Sequence, residues 1–99
     1  KVGIVTDNVE GGDPYKLRIY DREGSPVFEK TFNYQYTGFD IDGDLVLLYN
    51  DSSCKVYNMT GTEKYNGTFD FTVSKVSAGR FPGTLLVMGP QKMTEIKLQ

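Results

Sequence analysis

The segment Asp40-Ile41-Asp42-Gly43-Asp44 carries residue types suited to metal chemistry. Three carboxylates at alternate positions suit a hard cation such as Ca²⁺. A helix–loop–helix calcium loop also needs glycine at its sixth position and glutamate at its twelfth, where this sequence has Leu45 and Asp51. Asp42-Gly43 is in addition a strong signal for a type I′ hairpin turn. The pattern therefore favours a turn over a metal site.

Other residue types that carry catalysis are scarce. The sequence has no histidine, which excludes His-dependent triads and His-ligated metals. Cys54 has no imidazole to activate its thiol, and we expect it to be a small, partly buried packing residue. Gly11-Gly12-Asp13-Pro14 lacks the Lys-Ser/Thr pair that follows a phosphate-binding loop. We therefore predict no catalytic residue, no cofactor-binding residue and no metal ligand in this chain.

Four aromatic residues are candidates for ligand contact because they fall at or near predicted strand ends and loops: Tyr34, Tyr36, Tyr65 and Phe81. Exposed rings there would stack on a sugar or receive a peptide. The alternative, which we favour, is that they fill space between sheets. Three Asn-x-Ser/Thr sequons begin at Asn50, Asn58 and Asn66, at turns or strand ends where Asn is expected anyway.

Composition excludes some partners. The 99 residues carry a net charge of −2 and a pI near 5.0, which argues against nucleic acid because phosphate binding needs clustered Lys and Arg. No apolar run approaches the roughly 20 residues of a membrane span. With a single cysteine there is no intrachain disulfide to indicate a compartment. The chain begins at Lys1 and not at a methionine. A removed targeting segment and a trimmed sequence would explain this equally well, so the localisation is unknown.

The secondary structure that the pattern predicts is all-β. Apolar residues alternate over short segments between turn residues, and no stretch of ten or more residues has helical periodicity. The expected strands are 2–6, 15–20, 27–32, 36–41, 45–49, 54–57, 63–71, 73–78, 85–88 and 93–98.

An internal repeat organises these strands. Ile19-Tyr20-Asp21-x-x-Gly24 recurs as Val56-Tyr57-Asn58-x-x-Gly61 at a spacing of 37. Leu45–Tyr49 matches Leu85–Gly89 at a spacing of 40, which makes Ile96 the equivalent of Val56. The repeat predicts half a unit followed by two whole units, at 1–21, 22–58 and 59–99. Since the Leu45 strand is apolar on both faces, both faces must be covered, as in a stack of similar sheets.

The two β-branched–Tyr–Asp/Asn–x–x–Gly elements, with four strands in a period near 40, resemble β-propeller repeats of the WD40-like and quinoprotein-like kinds. The Trp-Asp and Gly-His pairs of standard WD40 repeats are missing. The resemblance implies tandem four-stranded antiparallel blades, about two and a half of them. Because propellers close with roughly four to eight blades, we expect a fragment of a larger propeller. The alternative is a small β-sandwich or barrel.

The expected function is that of a non-catalytic scaffold or binding module, part of a β-propeller that mediates protein or carbohydrate interaction. The isolated chain should self-associate through exposed blade faces. The alternative is a fragment of a propeller enzyme whose catalytic residues lie outside this chain. We expect neither nucleic acid as a partner nor a membrane span in this segment.

Overall fold

Within residues 2–9 and 12–98, ten β-strands form the fold, and each corresponds to a predicted strand. The computed structural model describes residues 2–9 and 12–98, so Gly11 of the predicted glycine loop lies outside the described residues. The strands are β1 Val2–Asp7, β2 Tyr15–Tyr20, β3 Pro26–Phe32, β4 Gly38–Asp42, β5 Leu45–Tyr49, β6 Ser53–Asn58, β7 Glu63–Thr68, β8 Lys75–Ala78, β9 Thr84–Met88 and β10 Met93–Lys97. The prediction of an all-β chain is therefore confirmed.

In the described part of the chain the strands form three small antiparallel sheets in chain order. Sheet 1 has the order β1-β2-β3, sheet 2 the order β4-β5-β6-β7, and sheet 3 the order β8-β9-β10. Neighbouring strands in each sheet are consecutive in the chain, so short turns suffice to connect them. The sheets are divided near residues 33–37 and 69–74, whereas the predicted units are divided after residues 21 and 58. The Gly24 turn joins two paired strands of sheet 1, and the Gly61 turn joins two paired strands of sheet 2. A division at either turn would separate strands that are hydrogen-bonded to each other.

The repeated turn has the same geometry in both copies. Asp21 Oδ1 accepts hydrogen bonds from the backbone N–H groups of Glu23 (3.0 Å) and Ser25 (2.9 Å). Asn58 Oδ1 accepts them in the same way from Thr60 (3.1 Å) and Thr62 (2.9 Å). Gly24 and Gly61 take φ values of 81° and 86°, and the register shifts within each preceding strand, as in hairpins that end in a bulge. The sequence repeat is therefore a repeat of one hairpin.

The hairpin at Gly43 differs from the predicted one. Asp42 pairs with Leu45, so Gly43 and Asp44 are the two central residues. Gly43 has φ 59°, and among the described residues only glycines have positive φ. Glycine at the first central position with a negative φ at the second is the pattern of a type II′ turn, so the type I′ prediction was wrong. It had placed Asp42 and Gly43 at the centre.

Sheet 2 lies between the other two sheets, and each of its faces is buried in a separate hydrophobic cluster. Cluster 1 joins sheets 1 and 2, and its buried members are Leu17, Ile19, Phe28, Phe32, Val46, Leu48 and Tyr57. Cluster 2 joins sheets 2 and 3, and its buried members are Leu47, Cys54, Val56, Val73, Val76, Leu85 and Val87. Side chains of a strand alternate between faces, so β5 contributes Val46 and Leu48 to cluster 1 and Leu47 to cluster 2.

The spacing between sheets 2 and 3 is 39 residues, and the predicted 40 was one residue too long. β5 begins at Leu45 and β9 begins at Thr84. The turns that follow them contain equivalent hydrogen bonds, from Asn50 N to Ser53 O (3.1 Å) in one and from Gly89 N to Lys92 O (2.7 Å) in the other. A slip of one residue exchanges the faces of a strand. Glu95, which pairs with Leu86, therefore takes the place of Val56, and Ile96 takes that of Tyr57. In an all-apolar run such as 45–48, polar and apolar residues do not alternate. The sequence therefore does not show which residues lie on which face of the strand.

Candidate functional site: a hollow at the connection end of the sheets

The loops of the three sheets collect at two opposite ends. One end, here called the connection end, holds the turns after β5 and β9 and both connections between sheets: 33–37, 50–52, 69–74 and 89–92. The other, the hairpin end, holds the turns 21–25, 43–44, 59–62 and 79–83. This division follows from the antiparallel strand order, which brings alternate turns to the same end.

The connection end has an open hollow of about 430 Å³, lined by Phe71, Thr72, Gly89, Pro90, Gln91 and Lys92. The ammonium group of Lys92 lies 5.1 Å from the centre of the Phe71 ring and 3.5 Å from Asp70 Oδ1. Both charged side chains are largely exposed to water, so this ion pair contributes little to stability. The hollow is therefore lined by an aromatic ring, the Gln91 amide and the Lys92 ammonium, whose weak ion pair with Asp70 an incoming acidic group can replace.

Gly89 allows the turn after β9 to lie close against the connection between sheets 2 and 3. Its equivalent in the preceding repeat is Asn50, whose Nδ2 donates to the carbonyl oxygen of Gln35 at 2.7 Å and covers that connection. A Cβ on Gly89 would lie 2.6 Å from the carbonyl oxygen of Thr72, so only glycine allows this approach. The turn after β9 therefore packs directly on the carbonyl of Thr72 and the ring of Phe71, which line the hollow with it.

A family model matches the chain, but its description names no activity. The family model described as Family of unknown function (DUF5711) matches residues 1–98. The chain belongs to this family. No curated protein matches it, and no solved structure does. Within residues 2–9 and 12–98 no helix has the length and hydropathy needed to cross a membrane.

The acidic segment of this DUF5711 chain has no metal-binding arrangement in the structure. Asp40 Oδ1 accepts a hydrogen bond from the backbone N–H of Ile41 at 2.8 Å, and Asp42 ends β4 at the hairpin. In the part of the chain that the structure describes, no group of three His, Cys, Asp or Glu side chains could hold a metal ion. The three carboxylates are exposed, and Asp44 is a central residue of the turn.

Cys54 is fully buried, whereas the sequence predicted a partly buried packing residue. It lies in cluster 2 on the face of β6 that meets sheet 3. Burial raises the pKa of the thiol from its ordinary value of 9.0 to about 12. The thiol is therefore neutral at physiological pH and is not positioned to act as a nucleophile.

Three of the four candidate aromatic residues pack between sheets. Tyr36 makes edge contacts with Tyr15 and Phe32, at centroid distances of 5.4 and 5.8 Å. Tyr65 stacks on Phe69 in cluster 2 at 6.4 Å. Tyr34 packs on cluster 1, and its hydroxyl lies 2.6 Å from Ser53 Oγ. The space-filling role therefore holds for these three.

Phe81 differs from the other three. Its side chain is 63% exposed, in the turn between β8 and β9 at the hairpin end. The structure therefore does not bring the four aromatic residues together into one ligand surface.

The residues that line the hollow match no motif in the sequence. Phe71 is far from Gln91 and Lys92 in the chain and meets them only because the turn after β9 packs against the connection before β8. The available signal was the Gly89-Pro90 pair, which stands in place of Asn50-Asp51 at the equivalent turn. It became readable once the spacing of 39 aligned the two turns.

Proposed function

We propose that the chain is a non-catalytic binding module built from successive blades of a larger β-propeller, and that its connection end binds a protein partner. The observation that carries the proposal is the repeated packing of one sheet upon the next. The face of sheet 1 with Leu17 and Ile19 covers sheet 2, and the equivalent face of sheet 2 with Cys54 and Val56 covers sheet 3. The same packing contact is thus repeated from one sheet to the next. This favours propeller blades over a sandwich, which has a single interior between two sheets.

The shape of the gaps between sheets supports the same proposal. Neighbouring sheets approach most closely at their first strands, where β4 faces β1 and β8 faces β4 and β5. Toward the last strands the space is filled by aromatic rings, Phe28 and Phe32 in cluster 1 and Tyr65 and Phe69 in cluster 2. Sheets that are close at one edge and separated by large side chains at the other stack as wedges. A stack of wedges curves toward a ring.

The strand orders of the terminal sheets agree with a longer propeller. Among the described residues, sheet 1 has no counterpart of β4 beside β1, and sheet 3 has no counterpart of β7 beside β10. The two sheets thus lack a strand at opposite edges. We propose that further strands and blades complete them.

The hollow suits a peptide better than a sugar. Sugar binding of the expected kind needs an aromatic ring with a free face. Phe71 packs against Phe69 at a centroid distance of 5.5 Å, and Lys92 lies over its ring. The remaining groups, the Lys92 ammonium and the Gln91 amide, suit the carboxylates and backbone amides of a protein.

Selection from a random peptide library and screening on a glycan array, with the same purified chain, test the proposal. We expect selected peptides to carry acidic side chains and to lose about tenfold or more in affinity with Lys92→Ala. The matched control is Phe81→Ala, which truncates an exposed side chain at the hairpin end and should leave affinity unchanged. Glycans as the only ligands, or peptides that bind Lys92→Ala as well as the wild type, would contradict the proposal.

A further inference from the structure

The two junctions between neighbouring sheets are built from equivalent segments, so their residues can be compared position by position. Thr37 N donates to Tyr49 O at 2.8 Å, and Ser74 N donates to Met88 O at 2.7 Å. These bonds are equivalent, so the spacing of the repeat is 37 residues in the connections and 39 residues in the turns after β5 and β9. Three residues at the hollow thereby have equivalents at the first junction: Asn33 for Asp70, Tyr34 for Phe71 and Ser53 for Lys92.

The first junction, between sheets 1 and 2, is closed by neutral side chains. The Tyr34 hydroxyl lies 2.6 Å from Ser53 Oγ, which donates a hydrogen bond to Asn50 Oδ1 at 3.0 Å. Asn50 Nδ2 donates in turn to the carbonyl oxygen of Gln35 at 2.7 Å. These bonds join the turn after β5 to the preceding connection without any charged side chain.

The second junction, between sheets 2 and 3, has two opposite charges in the same places. Phe71 has no hydroxyl group with which to bond the turn, and the Lys92 ammonium lies over its ring and pairs with Asp70 instead. Both sheets are nevertheless joined through a buried apolar cluster, as at the first junction, so the charged pair is not needed for stacking. Asp70 is 86% exposed and Lys92 54% exposed, and an ion pair in that setting adds little to stability. The fold alone therefore does not explain the pair.

The Asp70 carboxylate and an acidic ligand would use the same ammonium group. In the described part of the chain, Asp70 is the acidic side chain that pairs with Lys92, and the two charges offset each other beside the hollow. A ligand carboxylate that pairs with Lys92 must displace Asp70 or lie next to it. Either arrangement costs free energy, because an existing ion pair is lost or two like charges are brought together. Removal of the Asp70 charge removes this cost and leaves the ammonium group in place.

We infer that Asp70 sets the affinity and the charge preference of the hollow, as an internal carboxylate that competes with the acidic group of a bound peptide for Lys92. The inference rests on the proposed function and adds a residue that opposes peptide binding to the residue that supports it. In the wild type, binding exchanges one ion pair for another, so the hollow prefers acidic peptides less strongly than Lys92 alone would. Without the Asp70 charge, binding forms an ion pair where none existed, and this preference increases.

Calorimetric titration with two matched peptides tests the inference. One is the tightest-binding acidic peptide selected on the wild type, and the other is the same peptide with each acidic side chain replaced by its amide. Asp70→Asn should bind the acidic peptide about two- to fivefold more tightly than the wild type, the effect of one exposed ion pair, and the neutral peptide equally well. The matched control is Asp51→Asn, which removes the same charge from the exposed turn after β5, outside the lining of the hollow. It should change neither affinity.

The same substitution in the Lys92→Ala background separates competition from a general effect of charge. Without the ammonium group, only screened repulsion between exposed carboxylates remains, so the gain from Asp70→Asn should be largely lost. If Asp70→Asn binds the acidic peptide no more tightly than the wild type, or gains as much in the Lys92→Ala background, the inference is overturned while the peptide site of the proposed function stands. If neither the wild type nor Asp70→Asn binds any peptide, both are overturned.

Discussion

At the scale of single residues, the structure assigns packing roles to most of the side chains that suggested chemistry. Tyr34, Tyr36 and Tyr65 fill the space between sheets. Cys54 is buried, and desolvation raises its pKa to about 12. Lys92, by contrast, belongs to no motif in the sequence, but it lines the hollow. Burial, more than residue type, separates these roles.

The Cys54 thiol should make stability fall with pH in the alkaline range. The unfolded thiol loses its proton near its ordinary pKa of 9.0, while the folded thiol retains it to about 12. Between these values the unfolded state binds fewer protons, so the free energy of unfolding should decrease as pH rises, by up to about 1.4 kcal/mol per pH unit. Urea denaturation of the wild type and of Cys54→Ala at successive pH values measures this dependence.

Below pH 9 the two proteins should show the same pH dependence, because the thiol is protonated in both states. Tyr34 and Tyr65 also have raised pKa values, chiefly from desolvation and in part from the neighbouring Cys54 thiolate, so the difference between the two proteins measures Cys54 together with its effect on these tyrosines. Parallel curves for wild type and Cys54→Ala above pH 9 would contradict the assignment.

At the scale of elements, the hairpin closed by Asp21 or Asn58 is the repeated unit. In each copy one side-chain oxygen accepts two backbone N–H groups and the following glycine has positive φ. These features are local, so the sequence pattern was sufficient to predict them. The stacking of sheets depends on contacts across the chain but follows from one local fact, that residues 45–48 are apolar on both faces.

Asn58→Ala should destabilise the chain by about 1–2 kcal/mol because the N–H groups of Thr60 and Thr62 lose their acceptor. Asn58→Asp is the matched control, since the chain itself uses Asp21 at the equivalent position, and it should change the free energy of unfolding far less. Chemical denaturation gives both values. Equal losses for Ala and Asp would show that the side-chain oxygen does not support the turn.

Prediction from the sequence failed where it depended on which face of a strand a residue occupies, on how two strands pair, or on contacts between residues far apart in the chain. The apolar run at 85–88 shows no alternation, so the sequence did not reveal that Leu86 and Glu95 face outward. The Asp42-Gly43 pair indicated a hairpin, but the pairing of Asp42 with Leu45 decided the turn type. The hollow joins Phe71 to Lys92, which belong to different connections. No local pattern reports that approach.

At the scale of the whole molecule, position in the stack decides what a leucine contributes. Leu47 and Leu86 are equivalent in sheets 2 and 3, but Leu47 is buried between sheets and Leu86 lies on an outer face. We expect Leu47→Ala to cost about 2–5 kcal/mol and Leu86→Ala about 1 kcal/mol or less.

Thermal and chemical unfolding of both variants at concentrations too low for self-association measures this difference. Far-UV circular dichroism verifies that the strands are retained before unfolding. Similar losses for the two variants would mean that sheet 3 does not end the stack in the monomer, contrary to the structure.

The five residues of β5 belong to both hydrophobic clusters, through alternate side chains on one backbone. A shift of that backbone to accommodate a larger side chain at Leu47 would displace Val46 and Leu48 on the reverse side. The two interiors are therefore not free to change independently during evolution. Accepted substitutions in one should be accompanied by compensating substitutions in the other, with this strand as the mechanical link.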